Sequence, residues 1–312
     1  MRFQREGVAF TMLASLPLLL FAAQDQPTIS VNVDLVVLHA TVRDRKGGFV
    51  SGLQKQDFHV FENGQPQEIR VFQAGDVPVA VGLIVDNSGS MGHKKNDVIA
   101  AAQAFVHASN PQDQEFVVNF NEDASLGLPP GQAFSSDPAK LASAINRNPP
   151  AGLTALYDAV ETGLAHLEKS TIDKKVLIVI GDGGDNASHH TLQQVLEAAE
   201  RSDVIIYTVG LFDPNQEDTN PAVLKRLARA TGGEAYLPKL TADVVPVCQR
   251  IAQDIRNQYT IGYAPSNPSM DNSFRTIRAT ATGPHGQKYL VRTREGYIAA
   301  PRSHSGTATR ER

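Results

Sequence analysis

Three kinds of hydrophobic pattern follow one another along the chain. From about Ser30 to Gln73 the spacing is two: Val31, Val33, Leu35 and Val37 recur at alternate positions, and His39-Ala-Thr-Val-Arg continues the run. This period predicts β-strands with one buried face. Asp44-Arg-Lys-Gly-Gly is turn chemistry, and Glu62-Asn63-Gly64 predicts a hairpin turn between Val60-Phe61 and a strand from Glu68 to Phe72.

From about Val79 to Gln258 short apolar runs alternate with helical periods. The runs Val79–Asp86, Glu115–Asn121, Lys175–Gly181, Val204–Leu211 and Glu234–Leu237 predict strands. Helical patterns fill the gaps at Asp97–Ala108, Pro138–Arg147, Ala155–Glu168, Leu192–Arg201, Pro221–Ala230 and Ala242–Asn257. Pro138 and Pro221 suit a first helical turn. Val176-Leu-Ile-Val-Ile is apolar throughout, as a strand covered on both faces must be. The alternation predicts a doubly wound, mostly parallel α/β sheet with helices on both sides. From Tyr259 to Tyr297 the β pattern returns, with candidate strands at Tyr259–Tyr263, Phe274–Ala281 and Tyr289–Thr293. Neither β region has many strands of its own. The expectation is that the two flanks pair as one small β-sandwich with the α/β domain inserted between them. The division expected is 30–75 and 259–298 for the sandwich, 79–258 for the α/β domain, and a disordered tail over 299–312.

Composition narrows this picture. The chain has 312 residues, 41% of them hydrophobic, which is enough for a sizeable core. The net charge of −4 comes without any basic block, so nucleic acid is not an expected partner. Arg2 and Arg5 precede an apolar run from Val8 to Phe21, and Ala22-Ala23-Gln24 follows. That run is shorter than the ~20 residues a spanning helix needs. It predicts a signal peptide over 1–23 and an exported protein, periplasmic or extracellular, with no transmembrane span after signal removal. Cys248 is the only cysteine, so there is no internal disulfide. Val244, Cys248, Ile251 and Ile255 recur at helical spacing, which predicts a buried, inert thiol.

The candidate chemistry lies at strand ends. Asp86-Asn87-Ser88-Gly89-Ser90 follows directly on the apolar strand 79–85, and ligands of parallel α/β sheets bind at carboxyl ends of strands. Lys175–Ile180 runs into Gly181-Asp182, so Asp182 emerges at the same edge. Thr154 precedes a predicted helix and is either a further ligand or its cap. Asp86, Ser88, Ser90, Thr154 and Asp182 together supply two carboxylates and three hydroxyls. An all-oxygen set suits a hard cation, Mg²⁺ or else Mn²⁺ or Ca²⁺. Neutral hydroxyl ligands leave the metal with uncompensated charge, and a partner's Asp or Glu carboxylate can complete it. Asp185 and Asn186 read as turn formers, His189-His190 as a solvated loop, and His93 as exposed. No Gly-x-Ser-x-Gly elbow and no phosphate loop with Lys is present, so an enzyme is not expected.

This set resembles the metal-ion-dependent adhesion site of von Willebrand factor type A domains, over about the middle three-fifths of the chain. The flanks, with Gly52-Leu-Gln-Lys-Gln-Asp-Phe, Phe61-Glu-Asn-Gly and Arg294-Glu-Gly-Tyr297, resemble exported bacterial proteins described as VWFA-related. The resemblance implies that Asp86, Ser88 and Ser90 form the first ligand loop, that Thr154 binds directly in the ligand-occupied state, and that Asp182 binds directly or through water. Many members have Thr where this chain has Gly181. The function expected is metal-dependent capture of a protein partner, with a Mg²⁺-dependent hydrolase or a structural envelope component as alternatives.

Overall fold

The computed structural model describes residues 35–212 and 219–301. The signal peptide over 1–23, the start of the first strand at Val31 and Val33, and the tail beyond residue 301 lie outside the described residues.

The middle of the chain forms a six-stranded sheet. Its strands are β5 (Ala80–Asp86), β6 (Gln114–Phe120), β7 (Ala124–Leu126), β8 (Lys175–Gly181), β9 (Ile205–Gly210) and β10 (Ala235–Tyr236), in the order β10-β9-β8-β5-β6-β7. All neighbours are parallel except β6 and β7. Six helices fill the connections: α1 (Lys95–His107), α2 (Pro138–Ile145), α3 (Leu156–Leu167), α4 (Leu192–Arg201), α5 (Pro221–Thr231) and α6 (Val244–Arg256). Every residue of β5 is buried, and Val176 to Ile180 of β8 are wholly so. Burial of each Val, Leu or Ile side chain is worth about 1.5–3 kcal/mol, so these two strands anchor the sheet. Pro138 and Pro221 open α2 and α5, whose amides are capped by Asp137 and Asn220. Cys248 packs in this core with Val244, Ile251 and Ile255, and burial pushes its thiol up to about 12.

The flanks supply eight further strands. They are β1 (Val36–Arg43), β2 (Phe58–Glu62), β3 (Gln65–Gln67), β4 (Ile69–Gln73), β11 (Tyr259–Tyr263), β12 (Phe274–Ala281), β13 (Leu290–Arg292) and β14 (Gly296–Ile298). They form two four-stranded sheets, ordered β13-β1-β11-β4 and β14-β12-β2-β3. Each sheet mixes strands from before and after the α/β segment, as the flank-pairing expectation requires. One apolar cluster joins them, with Leu38, Ala40 and Ile261 from the first sheet against Phe58, Val60 and Ile277 from the second. The α/β segment leaves from β4 and returns into β11, and these strands are antiparallel neighbours, Gln73 opposite Thr260.

One strand expectation needs correction, and the short strands β3, β7 and β14 were not expected. Asn63 and Gly64 do form the hairpin turn, both with positive φ (48° and 80°). The partner of β2 is the short β3, however, and the expected strand 68–72 is instead β4, paired with β11 in the other sheet. Strand β7 was not expected: it is a three-residue edge strand without a period to read. Strand β14, at the closing Gly296-Tyr297-Ile298, was likewise not expected as a strand.

Candidate metal centre

Chain order reverses about β5. From there the chain proceeds to β6 on one side, then returns to β8 and β9 on the other. A crevice opens at the carboxyl ends of strands at such a switch point. Asp86 closes β5 and Asp182 follows β8, the neighbouring strand. Val85 pairs with Ile180, so Asp86 lies beside Gly181. A Cβ on residue 181 would sit 2.8 Å from Asp86 Oδ2 and 3.0 Å from its Cβ. Glycine at 181 is therefore a steric condition for this pose of the carboxylate.

Hydrogen bonds tie the site residues together. Asp86 Oδ1 accepts from the Ser88 amide at 2.8 Å. Ser88 Oγ and Ser90 Oγ are 3.0 Å apart, and Ser90 Oγ donates to Asp182 Oδ2 at 2.9 Å. Asp182 Oδ1 accepts from the Gly184 amide at 3.0 Å. A continuous polar chain thus runs from Asp86 through both serines to Asp182. The Thr154 loop is docked between them by its backbone. The Gly89 amide donates to Gly152 O at 3.1 Å, and Ala151 donates to Asn87 O at 2.9 Å. On the other side the Thr154 amide donates to Asn186 Oδ1, and Thr154 O accepts from the amides of Asn186 and Ala187.

Thr154 does not cap the helix it precedes. The N-cap position of α3 is Ala155, without a side-chain cap. The first amides of α3 are met from another loop: Tyr157 N donates to Asp185 Oδ1 at 3.1 Å and to Ser188 Oγ at 3.0 Å, and Asp158 N donates to the same hydroxyl at 3.2 Å. Asp185 and Asn186, read from sequence as turn formers, are the staples between the second and third loops. Their signal in sequence is only the ordinary Asx pattern of a turn. His189 and His190 also belong to this stapling: their amides donate to the Asp158 carboxylate, and their Nδ1 atoms lie 3.0 and 2.7 Å from it. His93 is exposed.

Electrostatics give the site its character. Asp86 is 1% exposed, and burial raises its carboxyl from 3.8 to about 6. Hydrogen bonds from Ser88 pull it down, the Asp182 charge pushes it up, and Lys94 pulls it down again. Lys94 is buried and donates to Leu211 O at 3.0 Å, which draws the serine loop onto the end of β9. Among the described residues no ion pair joins Asp86 or Asp182. Two adjacent buried carboxylates, ringed by hydroxyls, form a donor set that fits a hard divalent cation. Among the described residues no group of three or more His, Cys, Asp or Glu forms a metal-binding cluster, so hydroxyls must complete any such set.

A sequence model of the von Willebrand factor type A domain matches residues 81–245. The chain belongs to that family. Among solved structures, it is similar to a von Willebrand factor type A protein from Catenulispora acidiphila, at 15% identity over 79% of this chain and 75% of that one, with a TM-score of 0.52. It is also similar to the vWF domain of the type V pili tip protein Mfa5 from Porphyromonas gingivalis, at 16% identity over 58% of this chain and 96% of that one, with a TM-score of 0.50. A third likeness is proximal thread matrix protein 1 from the mussel byssus with a zinc-occupied MIDAS motif, at 19% identity over 62% of this chain and 48% of that one, with a TM-score of 0.48. A search of curated proteins found no match. The family binds a divalent metal at its metal-ion-dependent adhesion site, and the loops of Asp86, Thr154 and Asp182 occupy the carboxyl edge of its type A sheet.

Proposed function

We propose that this von Willebrand factor type A protein is an exported, metal-dependent adhesion module. Asp86, Ser88, Ser90, Thr154 and Asp182 hold one divalent cation, Mg²⁺ or else Mn²⁺ or Ca²⁺. The cation supplies a Lewis-acidic position that a partner protein's Asp or Glu carboxylate completes. The chain's own residues orient this position: Ser88 and Ser90 bridge the two aspartates, and Asn186 and Gly152 hold the Thr154 loop against them. The observation that supports the reading is the meeting of three loops at the switch point of the sheet: Ser88 and Ser90 lead from Asp86 to Asp182, and the backbone of the Thr154 loop is bonded to the loops on either side. The two carboxylates balance the charge of a dication, and the neutral hydroxyls leave it a coordination position that an outside oxygen, here a partner's carboxylate, completes. The two antiparallel sheets of the flanks share one apolar cluster and are tied to the α/β segment through Asp254, which accepts from Thr41 and Arg292. Export rests on the N-terminal sequence pattern, and among the described residues no helix is long and apolar enough to cross a membrane.

The test is a pull-down from envelope extract with and without EDTA. A partner is retained in Mg²⁺ and released by chelation, and Asp86→Ala abolishes retention while leaving the fold largely intact. Retention that survives either treatment refutes the proposal.

A further inference from the structure

The rim of the metal centre carries two side chains that the ligand set does not use. Leu153 is 50% exposed, although Thr154, Ala155 and Leu156 after it are buried. Single exposed leucines are ordinary on protein surfaces. This one sits between Thr154 and Gly152, the residue whose carbonyl holds the serine loop through Gly89. The second is Glu122, in the turn between β6 and β7. Its carboxylate lies over Gly152: a Cβ there would be 2.8 Å from Glu122 Oε1. Gly152 also has a φ of +74°, so the backbone at this point is kept bare. The turn is fixed to the Thr154 loop, because the Ala155 amide donates to Asn121 O at 2.6 Å. Glu122 is exposed and, among the described residues, makes no hydrogen bond or ion pair; Asp123, next to it, is exposed as well. Next to Thr154 in the chain there is therefore an exposed apolar side chain, and against Gly152 an exposed carboxylate.

We infer that Leu153 and Glu122 are specificity-determining residues, and that they select a partner segment in which the metal-seeking carboxylate has a basic neighbour and an apolar one. This rests on the adhesion reading above. A partner segment with several acidic residues would bring a second carboxylate against Glu122 and Asp123, which disfavours it. A Lys or Arg beside the first carboxylate meets the same edge with complementary charge. An apolar side chain from the same segment covers Leu153 and removes its exposed half from water. The charge pair at this solvated rim sets choice more than affinity, since exposed pairs contribute about two- to fivefold in binding.

The experiment is selection of a random heptapeptide phage library on the full immobilised chain in MgCl₂, with elution by EDTA. Peptides with Asp or Glu next to Lys or Arg and an apolar residue are enriched. Selection on Glu122→Lys loses the basic neighbour and recovers peptides with two acidic residues. Synthetic peptides from the first pool bind Leu153→Ser about fivefold more weakly. Both side chains are exposed, so melting curves of the two variants match that of the parent chain. Acidic peptides without the basic neighbour, or a pool unchanged by Glu122→Lys, overturn the rim assignment and leave the metal reading standing. No EDTA-released peptide from the parent chain overturns the metal reading and this one with it.

Discussion

Replacing Asp86 by Asn stabilises the metal-free protein at neutral and alkaline pH. The Asp86 carboxylate is buried, accepts a hydrogen bond from the Ser88 amide, feels the Asp182 charge and, among the described residues, forms no ion pair. Burial and Asp182 therefore raise its carboxyl from 3.8 to about 6. The native state holds the proton more tightly than the unfolded chain does, so stability falls as pH rises from about 4 to 6. The cost is absent below that window and fully present above it. A gap of about two pH units corresponds to about 3 kcal/mol. Asn keeps the shape and can still accept from the Ser88 amide, but carries no charge. In EDTA at pH 8, Asp86→Asn is expected to be more stable by up to about 3 kcal/mol, or roughly 5–10 °C in Tm. At pH 4 the difference disappears. A divalent cation reverses the order, because it stabilises the parent chain in proportion to RT ln(1 + [metal]/Kd) and the variant far less. The assay is urea unfolding at the two pH values in EDTA, followed by thermal melts with added MgCl₂. A variant less stable than the parent at pH 8 in EDTA, or a difference that does not depend on pH, refutes the electrostatic account of the site.

Other consequences can be checked on the same protein. Gly181→Val places a side chain against Asp86, where even a Cβ is 2.8 Å from Oδ2; a loss of about 1–3 kcal/mol is expected, and the thermal shift on adding MgCl₂ shrinks. Glu115 is 1% exposed, and burial raises its carboxyl from 4.5 to about 8, so it too costs stability as pH rises through that window. Glu115→Gln should flatten the fall in urea midpoint between pH 4.5 and 8 and leave the variant more stable at the upper end. Asp254 is fully buried and accepts from Thr41 Oγ1 at 2.8 Å, from Tyr207 OH at 3.0 Å and from Arg292. Asp254→Ala strips the buried partner from this network, which joins α6 and β9 to β1 and β13; about 3–5 kcal/mol should be lost in urea unfolding.

Much of the fold could be read along the chain because its elements are long and periodic. Strand β8 and helix α4 begin and end where the pattern places them, and the other parallel strands and helices of the α/β segment are displaced by a few residues at most. Continuous apolar runs mark strands covered on both faces, and this signal needs no tertiary information. Three of the short edge elements carried no such signal. Strands β3, β7 and β14 have three residues each, too few for a period, and pairing with a neighbour is what makes them strands. The strand 68–72 was legible as a strand, but not its sheet, since Val71 and Phe72 meet Gly262 and Ile261 from nearly two hundred residues away.

The placement of Asp86 and Asp182 at one edge was legible for a related reason. Asp86 and Asp182 follow directly on buried strands, and strand polarity alone brings such residues to one edge of a parallel sheet. Tertiary structure decided how that edge is held. The role of Thr154 is one case: a residue before a helix has the chemistry of a cap, and only the arrival of Asp185 and Ser188 at the α3 amides assigns the cap elsewhere. Gly181 is another: in sequence it is one small residue before Asp182, and only its pairing beside Asp86 makes its missing side chain a requirement. The sequence by itself determined which oxygen-bearing side chains follow the strand ends and the period of the elements behind them, because these depend on neighbours along the chain. The tertiary structure alone decided which loops brace one another, how far Asp86 is desolvated and what borders the site, because each of these depends on residues that meet only when β8 and β6 close around β5.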